Sequence, residues 1–400
     1  MCGQFAKALK LFMQCGDREI DAAIDVVGKS QNEALTHQLI DFLVGEKDGM
    51  PKDPSYIYRL YMALKKYEDA AKTALIIARQ EQDMGNYTVA HGVVYETIRS
   101  LEDAGIKVSL QLRQHFVLLH SYLRVKGLVK AGDHMGAAQM LLRVAQNISK
   151  FPAHTVNILT STVVECARAG LKASAYEYAV VLMRPEHRPN VNAELKKKIE
   201  AIVRRRSEDK TEQPEETSPC PVSGQPLAVT QLESPATRDQ LPMCVVTGRH
   251  MVLDDWCFCP VSKSPALYSA YKRYIEDERA AAAAAATAEG GGGGGGSSSF
   301  VVLDPVLGKP VDPSQVKLST PEEATRYIQV YNNVLPEKKK GKDGDDEGDE
   351  GGAAASAAGG SGEAKSPDSA KASKSSKAQE KDKEKERERR ERRERKARRG

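Results

Sequence analysis

Only one tryptophan occurs in the 400 residues, and aromatic residues make up 6% of the chain. The other absences bound its chemistry further. No apolar run reaches about 18 residues, the length that reads as a membrane-spanning helix, and no apolar N-terminal segment of signal-peptide type is present. Neither membrane spanning nor secretion is indicated. There is no glycine-rich loop followed by Lys-Ser/Thr to cradle a phosphate, no His-Glu-x-x-His pair and no Gly-x-Ser-x-Gly elbow. Of the eight histidines, only His250 lies near cysteines, while His91, His120 and His134 sit inside helical repeats as packing or turn residues. Cys15 and Cys166 fall on apolar helix faces and read as small core residues. The seven cysteines follow no spacing typical of small secreted domains, which points to a reducing compartment. The reading is of a non-enzyme.

What is present is a repeated helical grammar, clearest in Lys130-Ala-Gly132-Asp133-His134-Met-Gly-Ala137. Gly132 suits a left-handed helix end, and Ala137 falls one turn into the next helix, where a small side chain lets two helices cross closely. The same order recurs as Gly3-Gln4-Phe5 with Ala8, Tyr67 with Ala70, Gly85-Asn86-Tyr87 with Ala90, and Gly170-Leu171-Lys172 with Ala175. Repetition at uneven spacing predicts a tetratricopeptide-like α-solenoid over residues 1–206, a mainly α fold of stacked helix pairs with close crossings at Ala70, Ala90, Ala137 and Ala175. The first unit reads as a second helix without its first, leaving Phe5, Leu9 and Phe12 unpartnered unless Phe5 and Leu9 dock on the next helix as a cap. The chain is therefore expected to be the C-terminal portion of a longer protein.

Along the chain, Asp21 to Val44 continues the helical period through Ile24, Val27, Leu35, Leu39, Ile40 and Leu43, and Asp53-Pro54 caps the next helix. Glu194 to Arg206 is a basic terminal helix, read as a solvated cap. Residues 207–218 read as an acidic linker. Residues 219–279, rich in Pro, Gly, Ser and Cys, read as a small β-rich module whose helix opens at Ser264-Pro265. Residues 280–299 form an Ala/Gly/Ser linker expected to be disordered, 300–335 a remnant with a short helix capped at Thr320-Pro321-Glu322-Glu323, and 336–400 a disordered charged tail. The tail's Lys381–Arg399 interleaves Glu with its basic residues and has no aromatic to stack on bases, so nucleic-acid binding is not expected.

Several longer strings are distinctive: Tyr58-Arg-Leu-Tyr-Met-Ala-Leu-Lys-Lys66, Gly132-Asp-His-Met135, Asn147-Ile-Ser-Lys-Phe-Pro152, Ile158-Leu-Thr-Ser-Thr162, Leu182-Met-Arg-Pro185, Thr247-Gly-Arg-His-Met251, Asp254-Asp-Trp256 and Pro265-Ala-Leu-Tyr268. On these strings the chain resembles the intraflagellar transport protein 144 family, the WD-repeat and tetratricopeptide subunit of intraflagellar transport complex A. The resemblance runs over roughly residues 1–275, fades toward Tyr331, and corresponds to the family's C-terminal part, without its β-propellers. It implies a scaffold subunit at the cilium or flagellum and basal body, on the cytoplasmic side, supporting dynein-driven retrograde transport, cilium assembly and ciliary entry of membrane proteins. The partners it implies are other complex A subunits, dynein-driven train components and membrane-protein cargo adaptors. The repeat physics fits a vesicle-coat or adaptor solenoid equally well.

The resemblance also implies a zinc-binding region built from Cys-Pro-x-Cys knuckles, and here the chain departs from it. The matching places read Cys220-Pro-Val-Ser223, Ser234-Pro-Ala-Thr237, Cys259-Pro-Val-Ser262 and Asp304-Pro-Val-Leu307. A structural zinc needs four thiolate or imidazole ligands. The remaining candidates, Cys220, Cys244, His250, Cys257 and Cys259, could regroup around one zinc ion but include no pair at knuckle spacing, so a metal-free, degenerate zinc-ribbon-like module is the expectation and retained zinc the alternative. Finally, Tyr268, Tyr271 and Tyr274 recur at helical spacing beside Trp256. They read either as an aromatic docking face for partners or as the module's own core.

Overall fold

One turn recurs through the first half of the protein. In the computed structural model, which describes residues 2–46, 49–204, 215–288 and 301–332, Gly132 has φ +79°. Its amide donates to the Val129 carbonyl at 3.1 Å, and the amide of Asp133 donates to the Leu128 carbonyl at 3.0 Å. This pair of bonds satisfies carbonyls that a helix end would leave open. Gly85 and Gly170 make the same two bonds. At the remaining turn Lys65 holds the left-handed place at φ +58°, so the geometry persists where the glycine signal is missing. The alanines that follow are buried as expected: Ala70, Ala90 and Ala137 are fully covered and Ala175 is 2% exposed.

Between these turns run helices α1 (Cys2–Gln14), α2 (Ile20–Ser30), α3 (Glu33–Val44), α4 (Pro54–Ala63), α5 (Tyr67–Asp83), α6 (Tyr87–Asp103), α7 (Leu110–Lys130), α8 (His134–Ala145), α9 (Thr155–Arg168), α10 (Lys172–Leu182) and α11 (Ala193–Arg204). From α4 to α11 each helix packs on the next, as in an α-solenoid. Asp53 and Pro54 start α4 as the sequence predicts, the Asp53 carboxylate accepting from the Ser55 amide at 2.8 Å.

Three expectations are corrected in this half. The period from Asp21 to Val44 is two helices. Gln31 turns left-handed at φ +48°, and the Asn32 side chain caps α3 by accepting from the amides of Ala34 and Leu35. The apolar face of α1 has a partner: Leu9 is fully buried, and Phe5 and Phe12 pack on the same cluster with Ile20, Val27 and Leu39. Cys15 is exposed just beyond the end of α1, whereas Cys166 is core.

The second half consists of short hairpins: β1 (Thr217–Pro219) with β2 (Pro226–Ala228), β3 (Trp256–Phe258) with β4 (Pro265–Leu267), and β5 (Val302–Leu303) with β6 (Pro310–Val311), all antiparallel. Two helices complete it, α12 (Tyr268–Ala288) and α13 (Pro321–Tyr331). The helix expected from Ser264-Pro265 begins only at Tyr268, because Pro265–Leu267 pairs as a strand. It then continues through the alanine run to Ala288, since alanine is the strongest helix former. The Thr320–Glu323 capping box on α13 is present.

Module boundaries also differ from the expected ones. Residues 215–218 belong to the module: Glu216 pairs with Arg249 at 2.8 Å, and β1 begins at Thr217. The remnant after the linker is not separate, because Val302, Val316, Ala324 and Ile328 share one core with Cys244, Trp256 and Tyr271. Residues 205–214 and 289–300, and the charged tail from residue 336, lie outside the described residues.

Candidate functional site

Five hairpin turns in the module share one backbone design. In each, the first residue's amide donates to the carbonyl five residues on, and the fifth residue's amide donates back to the first residue's carbonyl. For Cys220 these bonds are 2.9 and 2.8 Å, for Ser234 2.9 and 2.8 Å, for Cys244 both 2.8 Å, for Cys259 both 2.9 Å, and for Asp304 both 2.8 Å. The fifth residue is left-handed throughout, whether Gly224, Gly248 and Gly308 or Arg238 and Lys263. Sequence reasoning missed the turn at Cys244-Val-Val-Thr247 because proline is absent from its second position. The glycine at its fifth position, Gly248, was the available signal.

Every first-position side chain points inward. Cys220, Ser234, Cys244, Cys259 and Asp304 are each no more than 2% exposed. Four of the five turns meet in two pairs. The hydroxyls of Ser223 and Ser234 lie beside Cys220; burial pushes its thiol up, but these hydroxyls and the Ser223 and Val222 amides outweigh burial and draw it below its ordinary range. In the other pair Asp304 reaches across to the turn of Cys259 and accepts from the Ser262 amide at 3.0 Å. Burial, then the nearby Asp304 carboxylate, pushes the Cys259 thiol well up.

These residues do not fit a structural zinc. One thiol serves each pair of turns, the other places holding Ser223, Ser234 and Thr237 in one and Ser262, Asp304 and Leu307 in the other. Ser234 and Ser262 are fully buried where a knuckle would place sulfur. Among the described residues no three His, Cys, Asp or Glu side chains gather as a metal set. Of the five candidates, Cys244, Cys257 and Cys259 share the module's main core, whereas Cys220 packs in a separate cluster with Leu227 and Leu241. His250 is fully buried with Nε2 2.8 Å from the Ser218 hydroxyl, and burial lowers its pKa. Cys257 donates to the Ala266 carbonyl, its thiol pushed up to about 12 by burial and then by Cys244 and Asp255. Cys244 accepts from the Leu267 amide at 3.3 Å.

Burial removes most of the expected aromatic docking face. Trp256 and Tyr271 are fully covered and Tyr274 is 8% exposed. Trp256 packs on Phe258 and Tyr327, while the Tyr274 hydroxyl donates to the Leu303 carbonyl at 2.9 Å. They are core because α12 lies directly over the hairpins it follows. Tyr268 alone of the four is half-buried, beneath the Lys272 ammonium.

The residues with the most demanding environments lie where the module meets the solenoid, a junction the sequence did not reveal. Arg143 on α8 donates from Nη2 to the carbonyls of Thr230 at 3.1 Å and Gly248 at 2.8 Å, and from Nη1 to the Ser121 hydroxyl and Met243 sulfur. Burial lowers its pKa to about 10. A Cβ at position 248 would lie 2.7 Å from Cε and 2.9 Å from Cγ of Met140 on α8, so this turn approaches the helix closely, and its φ of +76° favours glycine. His120 on α7 lies 2.8 Å from the Val245 carbonyl through Nε2 and 3.2 Å from His91 Nε2 through Nδ1. The carbonyl must accept, so Nε2 of His120 carries the proton and His91 donates to Nδ1. Both rings are neutral: burial lowers their pKa values to about 4 and about 3. Nearby, the Tyr95 hydroxyl donates to the Ser262 carbonyl at 2.7 Å, and the Arg113 guanidinium sits 3.9 Å over the Tyr331 ring while pairing with Glu102. The module and helices α6–α8 thus share buried polar bonds, and a loss on either side would leave orphaned groups on the other.

The distinctive strings occur on both sides of this junction. Gly132–Met135 leads into α8, and Thr247–Met251 contains the glycine that Arg143 contacts. The chain is similar to WD repeat-containing protein 19. It is 51% identical to the mouse protein over 282 residues, 70% of this chain and 21% of the relative, with the same figures for the human protein. The Caenorhabditis elegans WD repeat-containing protein dyf-2 is 37% identical over 273 residues, 68% of this chain and 20% of the relative. The chain therefore spans about a fifth of the length of the curated relatives it matches. No protein-family model matches it. Among the described residues, no helix is long and apolar enough to cross a membrane.

Proposed function

We propose that the chain is a non-enzymatic scaffold segment of intraflagellar transport complex A. It works by binding other subunits of that complex, in dynein-driven retrograde transport, cilium assembly and the ciliary entry of membrane proteins. The carrying observation is the 51% identity to WD repeat-containing protein 19 over 282 residues, read with the resemblance of its strings to the complex A subunit. The stacked helices and the docked module support the reading, because such a surface is built for extended protein contacts. On this reading the protein acts at the cilium and basal body, on the cytoplasmic side, beside train components and membrane-protein cargo adaptors.

The test is affinity capture of the tagged full chain from ciliated cells, with quantitative identification of what accompanies it. Stoichiometric recovery of complex A subunits, together with an axonemal and basal-body signal, is expected. Recovery of vesicle-coat components instead, with no ciliary signal, would favour a general trafficking adaptor and overturn the reading.

A further inference from the structure

The pair of turns at Cys259 and Asp304 keeps the backbone of a metal knuckle without its ligands, and its geometry shows what joins it. The Asp304 carboxylate is 1% exposed. Its Oδ1 accepts from the amides of Val306 at 2.9 Å and Leu307 at 3.1 Å, inside its own turn. Those are the two amides that, in the turn at Cys220, lie against the sulfur as Val222 and Ser223. Its Oδ2 reaches the neighbouring turn and accepts from the Ser262 amide at 3.0 Å.

We infer that Asp304 is an internal staple standing where a bound cation would otherwise join the two turns, so that the module closes without metal. One carboxylate oxygen organises the 304–308 turn and the other ties it to the 259–263 turn. A buried carboxylate needs such donors, because its charge is costly to bury without them, and charge-assisted bonds are the stronger class. The staple matters beyond its own hairpins. Ser262, whose amide it holds, gives its carbonyl to the Tyr95 hydroxyl of α6, so Asp304 fixes a contact between module and solenoid. This inference does not depend on the complex A reading.

The full chain tests it in three arms. The parent protein should purify without stoichiometric zinc, and a strong chelator should leave its melting temperature unchanged. Asp304→Asn, which sets an amide N–H against the Ser262 N–H, should lower the melting temperature by several degrees. Ser262→Cys, Asp304→Cys and Leu307→Cys together would supply, with Cys259, four thiols at two joined turns. That variant should take up one equivalent of Co2+ with the intense visible bands of a tetrahedral thiolate site, whereas the parent should show none. The inference is overturned if the parent holds one zinc whose removal destabilises it, if Asp304→Asn melts like the parent, or if the four-thiol variant gives no tetrahedral Co2+ spectrum.

Discussion

Nη2 of Arg143 lies 2.8 Å from the carbonyl oxygen of Gly248, joining a helix of the solenoid to a hairpin turn 105 residues further along the chain. Among the described residues no carboxylate pairs with it. The guanidinium is held by two carbonyls, a hydroxyl and a thioether.

Arg143→Met should therefore cost more than the bonds it removes. It fills similar space but strands the Thr230 and Gly248 carbonyls. Destabilisation of about 2–3 kcal/mol is expected in denaturant melts, and a change below about 0.5 kcal/mol would show that the guanidinium is not the clamp described.

The neutral His91–His120 pair gives the junction a pH dependence of definite sign. Both pKa values are depressed, to about 3 and about 4, so the unfolded chain takes up protons first as pH falls. The pair's contribution is complete above about pH 6.5 and is lost progressively between there and about pH 3. His91→Gln keeps a donor for His120 Nδ1 and removes one titrating group. Its melting temperature should fall less steeply than the parent's over that range, and an unchanged slope would show that the pair does not govern it.

Ala137→Phe should overpack the crossing of α7 and α8 and destabilise by about 1–3 kcal/mol, measured by helical circular dichroism. The alanine is fully buried, so a melt like the parent's would mean that the helix register is wrong.

Truncation of Tyr271 distinguishes core from docking face. With its ring fully buried, Tyr271→Ser should cost roughly 3–5 kcal/mol and disturb the environment of Trp256. Loss of a partner at unchanged stability would restore the docking interpretation.

Much of the solenoid was legible, because glycine at a left-handed helix end and alanine one turn later are local signals. Lys65 and Gln31 take the same left-handed geometry without a residue type that announces it, and the break at Gln31 went unread. The module was legible at its prolines and not at Cys244, where the same turn has valine in second place. Its aromatics were ambiguous by nature, since three tyrosines at helical spacing look alike whether they face a partner or a core. The junction could not be read at all. Arg143, His120 and Gly248 meet only through tertiary packing, and no spacing in the sequence relates them.

The most direct test uses the scarcity of tryptophan. Trp256 is fully buried in the module, whereas most of the described helix lies in the solenoid, so fluorescence and circular dichroism at 222 nm report on different halves of the protein. Thermal unfolding of the full chain should give coincident transitions from the two probes, and Arg143→Met should move both together. A tryptophan transition that separates from the helical one in the parent protein would contradict a module locked to the solenoid.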